Sequence, residues 1–308
     1  PKVHIFSIIF PLIFIVLSGY ISSRSTFLSK EHIAGLSKFT FYISVPAFLF
    51  LNMAQADLQN SVSIAGFLSF YIPVLAIYAL GYVIDRYLIS KQSAPSRHAV
   101  FALGSSYSNT VLVGLPIIIA ALGQQMVGIV FMIITFHSAL LFTLTFLLSA
   151  KSQQTFSWRA FAKNMLLNPV VLSISSGLAV NLLGFTLFDD FANGLSLLAK
   201  PAIACALFVL GANLAFYKVA DNLQASLIAT IIKLLVLPCG VYFFAGSVFN
   251  LEQSLLNVLV LLSASPLGVN AYLIANQIKQ HQATLASSVV LSTVLSVVSF
   301  SAWLNILL

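Results

Sequence analysis

The residues of this chain whose types could do chemistry are mostly neutral, and they gather at two interruptions of otherwise apolar stretches. The first reads Tyr107-Ser108-Asn109-Thr110 and continues through Gly114 to Pro116; the second reads Ser265-Pro266-Leu267-Gly268-Val269-Asn270. Amides, hydroxyls and the free N–H groups of a broken helix hold a carboxylate or another small anion without a fixed counter-charge. In lipid, unwound backbone is tolerated only where it is buried in protein or lines a water-filled cavity. A single Gly/Pro break also arises as a plain kink between packed helices. Two breaks at matching places in two halves of a chain point instead to a transporter's binding site.

In the second break, Ser265 ahead of Pro266 is expected to cap a restarted helix whose first turn holds Gly268 and Asn270. In the first, Gly114 and Pro116 are expected to restart the helix, with Tyr107, Ser108, Asn109 and Thr110 preceding it as donors and acceptors. His137, near the middle of a later apolar stretch, could titrate or contact an anion; the alternative is a neutral histidine bonded to a neighbouring helix. Ser292 and Thr293 occupy the corresponding region of the last stretch, where such residues commonly bond their own helix. Lys200 and Lys233 lie within a few turns of expected helix ends and are expected to snorkel; a Lys233 facing the cavity would favour an anionic substrate. Asn52 and Asn213 read as interhelical hydrogen-bonders, and Cys205 and Cys239 as small apolar packing residues.

Other chemistry is not signalled. No Asp or Glu lies near the centre of an apolar stretch, Asp85 being at the inner end of the third, so no carboxylate for proton or sodium coupling stands out. There is no HExxH, GxSxG, embedded aspartate pair or P-loop, so neither an enzyme nor an ATP-driven pump is expected, and no cofactor or metal.

These residues must be positioned by membrane helices. Of 308 residues, 60% are hydrophobic and 7% charged, and the mean hydropathy is +1.03, which excludes a water-soluble surface. About ten apolar spans are expected, near 3–22, 33–54, 62–88, 98–121, 126–149, 164–184, 193–215, 224–246, 254–277 and 284–307. The first is long for a secretory signal and has no convincing cleavage site, so it reads as a helix. If loops alternate sides, Arg24, Lys30, Arg86, Lys91, Arg97, Lys151, Arg159, Lys163, Lys218 and Lys279 share one side. Lys2, Asp57, Asp189, Asp190 and Glu252 share the other. The basic side is then cytoplasmic, both termini lie outside, and the net charge of +7 needs no nucleic acid.

The polar stretch 151–163 divides the chain into a first five-helix repeat, 1–150, and a second, 164–308. Five is odd, so the second repeat enters the membrane inverted. Pro11 and Gly19 echo Pro169 and Gly177; Leu36-Ser37 and Pro46-Ala47 echo Leu195-Ser196 and Pro201-Ala202; Pro116 echoes Pro266.

Asn109-Thr110 with Gly114-Leu115-Pro116, Asn168-Pro169, Leu210-Gly211-Ala212-Asn213-Leu214, and Ser265-Pro266 through Asn270-Ala271 resemble the auxin efflux carrier family over essentially the whole chain. That family includes bacterial malonate and malate permeases and plant auxin exporters, within the bile acid/sodium symporter superfamily. The resemblance implies an all-α integral membrane fold of two inverted repeats whose helices 4 and 9 cross at their breaks and hold the substrate. It also implies a scaffold of helices 1, 2, 6 and 7 that often dimerises, and a moving transport domain of helices 3–5 and 8–10. The short central loop favours an organic-acid permease of the cytoplasmic membrane over an auxin carrier, with an auxin-like or bile-acid-like carboxylate carrier as the alternative. The expected substrate contacts are Asn109, Thr110, Ser108, Tyr107, Ser265, Asn270, Gly268 and His137, with Gly114, Pro116 and Pro266 fixing the crossing. The coupling ion, proton or sodium, stays open, and a membrane sensor that binds the same ligand without moving it is the alternative of another class.

Overall fold

Long apolar runs with few breakers have one way to satisfy their backbone in lipid, the helix, and among the described residues the chain is helical throughout, without a strand. The computed structural model describes residues 5–56, 63–91, 93–149, 159, 163, 166–217 and 223–308. The helices are α1 Ile5–Arg24, α2 Lys30–Ala54, α3 Ile64–Ile89, α4a Pro95–Ser106 and α4b Thr110–Leu122, and α5 Val127–Ser149. They continue with α6 Pro169–Leu182, α7 Asp189–Leu214 bent at Lys200 and Pro201, α8 Leu223–Val248, α9a Gln253–Ser263 and α9b Val269–Ile278, and α10 Gln282–Leu307. Seven of these are long and apolar enough to cross a membrane by length and composition. Most of the expected central loop, together with Lys2, Asp57, Lys151 and Lys218, lies outside the described residues.

Three of the prolines inside the spans are absorbed by local widening, while Pro11 and Pro73 sit within regular α-helix. Pro46, Pro116 and Pro238 each follow a five-residue π-type turn, at Thr40–Ser44, Thr110–Gly114 and Ile232–Val236. A proline ring clashes with the carbonyl four residues back and cannot donate to it, and the wider turn relieves that clash. Behind Pro238 the freed carbonyl of Leu234 accepts from Ser299 Oγ at 3.1 Å.

Helix packing falls into two groups. α1, α2, α6 and α7 pack on one another, and α3, α4, α5, α8, α9 and α10 form the second group. In the first group, backbones touch at glycines: a Cβ on Gly19 would collide with the Phe208 carbonyl, and one on Gly177 would lie 2.7 Å from the Phe50 carbonyl. Gly177 lies 158 residues after Gly19, and Phe208 lies 158 residues after Phe50. One offset therefore relates both partners of the two close approaches. Between the groups, α1 and α7 face α4b and α10 across an apolar cavity of about 360 Å³ lined by residues such as Val16, Leu210, Ile117 and Val294. Exposed Phe6, Phe10, Phe14 and Ile21 on α1, and Phe191 and Leu197 on α7 with Phe188 just before it, give the first group an apolar outer face suited to lipid.

Candidate functional site

The two breaks meet. Ser108 and Leu267 form an isolated antiparallel bridge, with Asn109 N donating to Pro266 O at 2.8 Å and Gly268 N donating to Tyr107 O at 3.2 Å. In an antiparallel bridge the flanking residues bond each other while the central N–H groups point outward. Those two outward groups are captured by side chains of the last helix of each half. Ser108 N donates to His137 Nε2 of α5 at 2.9 Å, and Leu267 N donates to Ser292 Oγ of α10 at 3.0 Å.

Bridging moves both restarts away from where proline chemistry places them. α4b begins at Thr110, with Asn109 as its cap accepting from Leu112 N at 3.3 Å, so Gly114 and Pro116 lie inside that helix and do not open it. Gly114 instead permits contact between the breaks, since a Cβ there would lie 2.7 Å from Ser265 Oγ. α9b begins at Val269, with Gly268 at its cap position; Pro266 stays in the extended link and Ser265 Oγ donates back to Leu261 O at 3.3 Å. The extended backbone that the bridge requires postpones the second restart by three residues. Gly268 is needed for another reason: a Cβ on it would run into the Tyr107 ring.

The named residues form one neighbourhood. The Tyr107 ring stacks on His137 at 5.0 Å and 19°, and its hydroxyl meets Ser138 Oγ at 2.7 Å and Asn270 Nδ2 at 3.4 Å. Tyr107, Ser108, Asn109, Thr110, His137 and Ser265 are buried, whereas Asn270 is exposed in the first turn of α9b. Because a backbone N–H occupies His137 Nε2, that nitrogen is the acceptor and Nδ1 carries the proton of the neutral ring. His137 is thus the hydrogen-bonded histidine of the alternative reading, with one nitrogen to spare. His137 Nδ1, Asn109 Nδ2 and Ser108 Oγ are buried and have no hydrogen-bond partner among the described residues. Each such group costs about 1–3 kcal/mol when left unpaired.

Lys233 does not snorkel. It is fully buried in α8, and its Nζ donates to the carbonyls of Ser263 and Ser265, both at 2.6 Å. Those carbonyls lose their helical partners where α9a ends, and a lysine amine supplies donors that the broken helix lacks. Its position, flanked by ten helical residues on one side and fifteen on the other within Leu223–Val248, was the signal: a lysine there reaches neither interface cheaply. Among the described residues no carboxylate pairs with it. Lys200 by contrast is exposed at the bend of α7. Among the described residues Asn52 bonds Phe48 O of its own helix at 2.8 Å and no neighbouring helix, and Thr293 likewise bonds Val289 O at 2.6 Å. Cys205 and Cys239 are free thiols. Ser138, the partner of Tyr107, carried no sequence signal beyond its place beside His137.

The family model described as "Membrane transport protein" matches residues 4–304. A "Putative malonate transporter" of Rhizobium meliloti (strain 1021) is 23% identical over 310 residues, covering 99% of this chain and 96% of that protein. A "Lysosomal cholesterol signaling protein" of Mus musculus is 26% identical over 316 residues, covering 94% of this chain and 36% of the mouse protein.

Proposed function

Since the chain belongs to the membrane transport protein family, the auxin efflux carrier family whose motifs it bears, we propose that it is a secondary carrier of a small organic anion, a mono- or dicarboxylate such as malonate or malate, working by alternating access. The observation that carries this reading is the set of spare donors at the crossing: Asn109 Nδ2, His137 Nδ1 and Ser108 Oγ are buried without partners. Beside them Lys233 sits at the α9 break without a carboxylate. Carboxylate oxygens accept from amide, imidazole and hydroxyl donors, and an anion gives a protonated Lys233 the counter-charge that the described residues lack. The malonate relative, aligned over nearly its whole length, supports the substrate class.

Movement fits an elevator in which α3–α5 and α8–α10 carry the crossing against α1, α2, α6 and α7. The cavity between the groups is lined mostly by apolar side chains, with Tyr20, Thr293 and Ser296 the polar ones, so sliding would break few polar contacts. The shared 158-residue offset of the Gly19 and Gly177 contacts supports two inverted repeats, 1–150 and 164–308. Location in the cytoplasmic membrane with both termini outside, and a homodimer through the α1, α2, α6 and α7 face, complete the proposal. Saturable uptake of labelled malonate or malate into proteoliposomes tests it, with indole acetate in the same panel. A second reading, ligand sensing without transport, is favoured by the mouse relative, a signaling protein. Binding of these acids with no uptake of any of them would select it.

A further inference from the structure

Asp85, at the end of α3, is wholly buried and holds histidines from both halves of the chain. Its Oδ2 lies 2.7 Å from His98 Nδ1 and its Oδ1 lies 2.9 Å from His281 Nε2. Ser90 Oγ donates to Oδ1 at 3.0 Å and receives Arg97 Nε at 2.7 Å. The second ring nitrogen of His98 lies 3.2 Å from the Ser93 carbonyl. A carboxylate and a carbonyl both accept, so His98 satisfies both contacts only with a proton on each nitrogen. His281 differs: its Nδ1 meets Thr284 Oγ1 at 3.1 Å, a hydroxyl that can donate, so a neutral ring with its proton on Nε2 suffices. The cluster is complete as a carboxylate, an imidazolium and a neutral imidazole, and it then has no net charge.

We propose that Asp85, His98 and His281 form a proton-binding site that takes one proton and couples it to movement; the coupling role rests on the carrier reading. Removal of that proton leaves a buried carboxylate without a counter-charge and one acceptor of His98 unpaired. The groups around the cluster are basic: Arg97 acts through Ser90, Arg86 and Lys91 line a cavity of about 560 Å³ with His98, and exposed Lys279 precedes His281. Tyr82 packs edge-on against His98 in that cavity, and Phe101 lies against His281. The facing part of α8, Leu223–Ile231, contributes no titratable side chain. The cavity gives the site its entry, because His98 lines it.

The site is wired to the crossing by α9b. That helix runs from Gly268 at the bridge to a tight turn in which Lys279 and His281 both take positive φ, 59° and 47°. Two non-glycine residues in that conformation are held by their contacts. Releasing His281 from Asp85 frees the turn and with it the end of the helix that carries Asn270.

The proton is read without any substrate by nitrogen NMR of histidine-labelled protein near neutral pH. One imidazole protonated on both nitrogens is expected in the native protein and missing in His98→Gln; its absence from the native protein overturns the proposal. Coupling is read in proteoliposomes, comparing malonate counterflow, which needs no net proton movement, with uptake driven by a proton gradient. Asp85→Asn is expected to lose all acceleration of uptake by the gradient, so that the ratio of gradient-driven uptake to counterflow falls to about one whatever the level of counterflow. Persistence of gradient driving, or an equal loss of both activities in Asp85→Asn and His98→Gln, overturns the coupling. A doubly protonated imidazole in a protein that moves no acid of the panel supports the proton site and sinks the carrier reading instead.

Discussion

The breaks in α4 and α9 bridge to each other through the same backbone geometry, yet their surroundings are finished to different degrees. At the α9 break, Leu267 N is taken by Ser292 and the carbonyls of Ser263 and Ser265 are taken by Lys233. At the α4 break, Ser108 N is taken by His137, but three polar side-chain atoms around it remain unpaired among the described residues. A buried polar group without a partner is a cost that a finished structural joint avoids. On the proposed function, the difference makes the α9 break the anchor and the α4 break the ligand contact, with Lys233 of α8 supplying charge from behind.

The division can be broken most decisively at Asn109. Asn109→Asp keeps the acceptor that caps α4b but replaces the spare donor with a negative charge. Uptake is expected to fall by about 100-fold or more with the thermal midpoint nearly unchanged, since the loss combines a charge-assisted hydrogen bond with repulsion. Equal loss of stability and uptake would mean that the α4 break is as structural as its partner. Lys233→Met comes next, stripping donors from two buried carbonyls; uptake should drop by about 10- to 100-fold and the thermal midpoint by several degrees. A melting curve beside the uptake assay checks both, and an unchanged midpoint would remove the anchoring role.

Gly268→Ala should lower uptake by about tenfold, because the new Cβ runs into the Tyr107 ring. Gly114→Ala should cost less, since the atom it meets is the rotatable Ser265 Oγ; a reversed order would show that the Tyr107 ring yields freely. The smallest effect on transport is expected for Ser292→Ala. It leaves Leu267 N without its partner and should cost about 1–3 kcal/mol of stability, with substrate KM unchanged. A raised KM would bring the α9 side into direct substrate contact.

Much of this comparison was legible in the order of residues. Apolar runs, the polar interruptions at Tyr107–Thr110 and Ser265–Asn270, and the echoed glycines are local or periodic properties, and helices obey them because lipid offers the backbone no other partner. The reading failed where a residue's role depended on something distant. Pro116 and Ser265-Pro266 look like helix starts by local capping rules, but the bridge between Ser108 and Leu267 claims the backbone first and shifts both restarts. Lys233 looked free to snorkel until the end of α9a was seen to lie against it.

By itself, then, the sequence determined an all-helical membrane chain with two interrupted helices of neutral, anion-compatible chemistry, because hydropathy and helix breaking act within a few turns. Only the tertiary structure decided which break is fully paired, where Lys233 spends its donors, and that Asp85 meets a histidine 13 residues away and another 196 residues away. Hydrogen bonds are made at about 3 Å whatever the separation along the chain, so the partner of a buried polar group is fixed by packing, which no local pattern records.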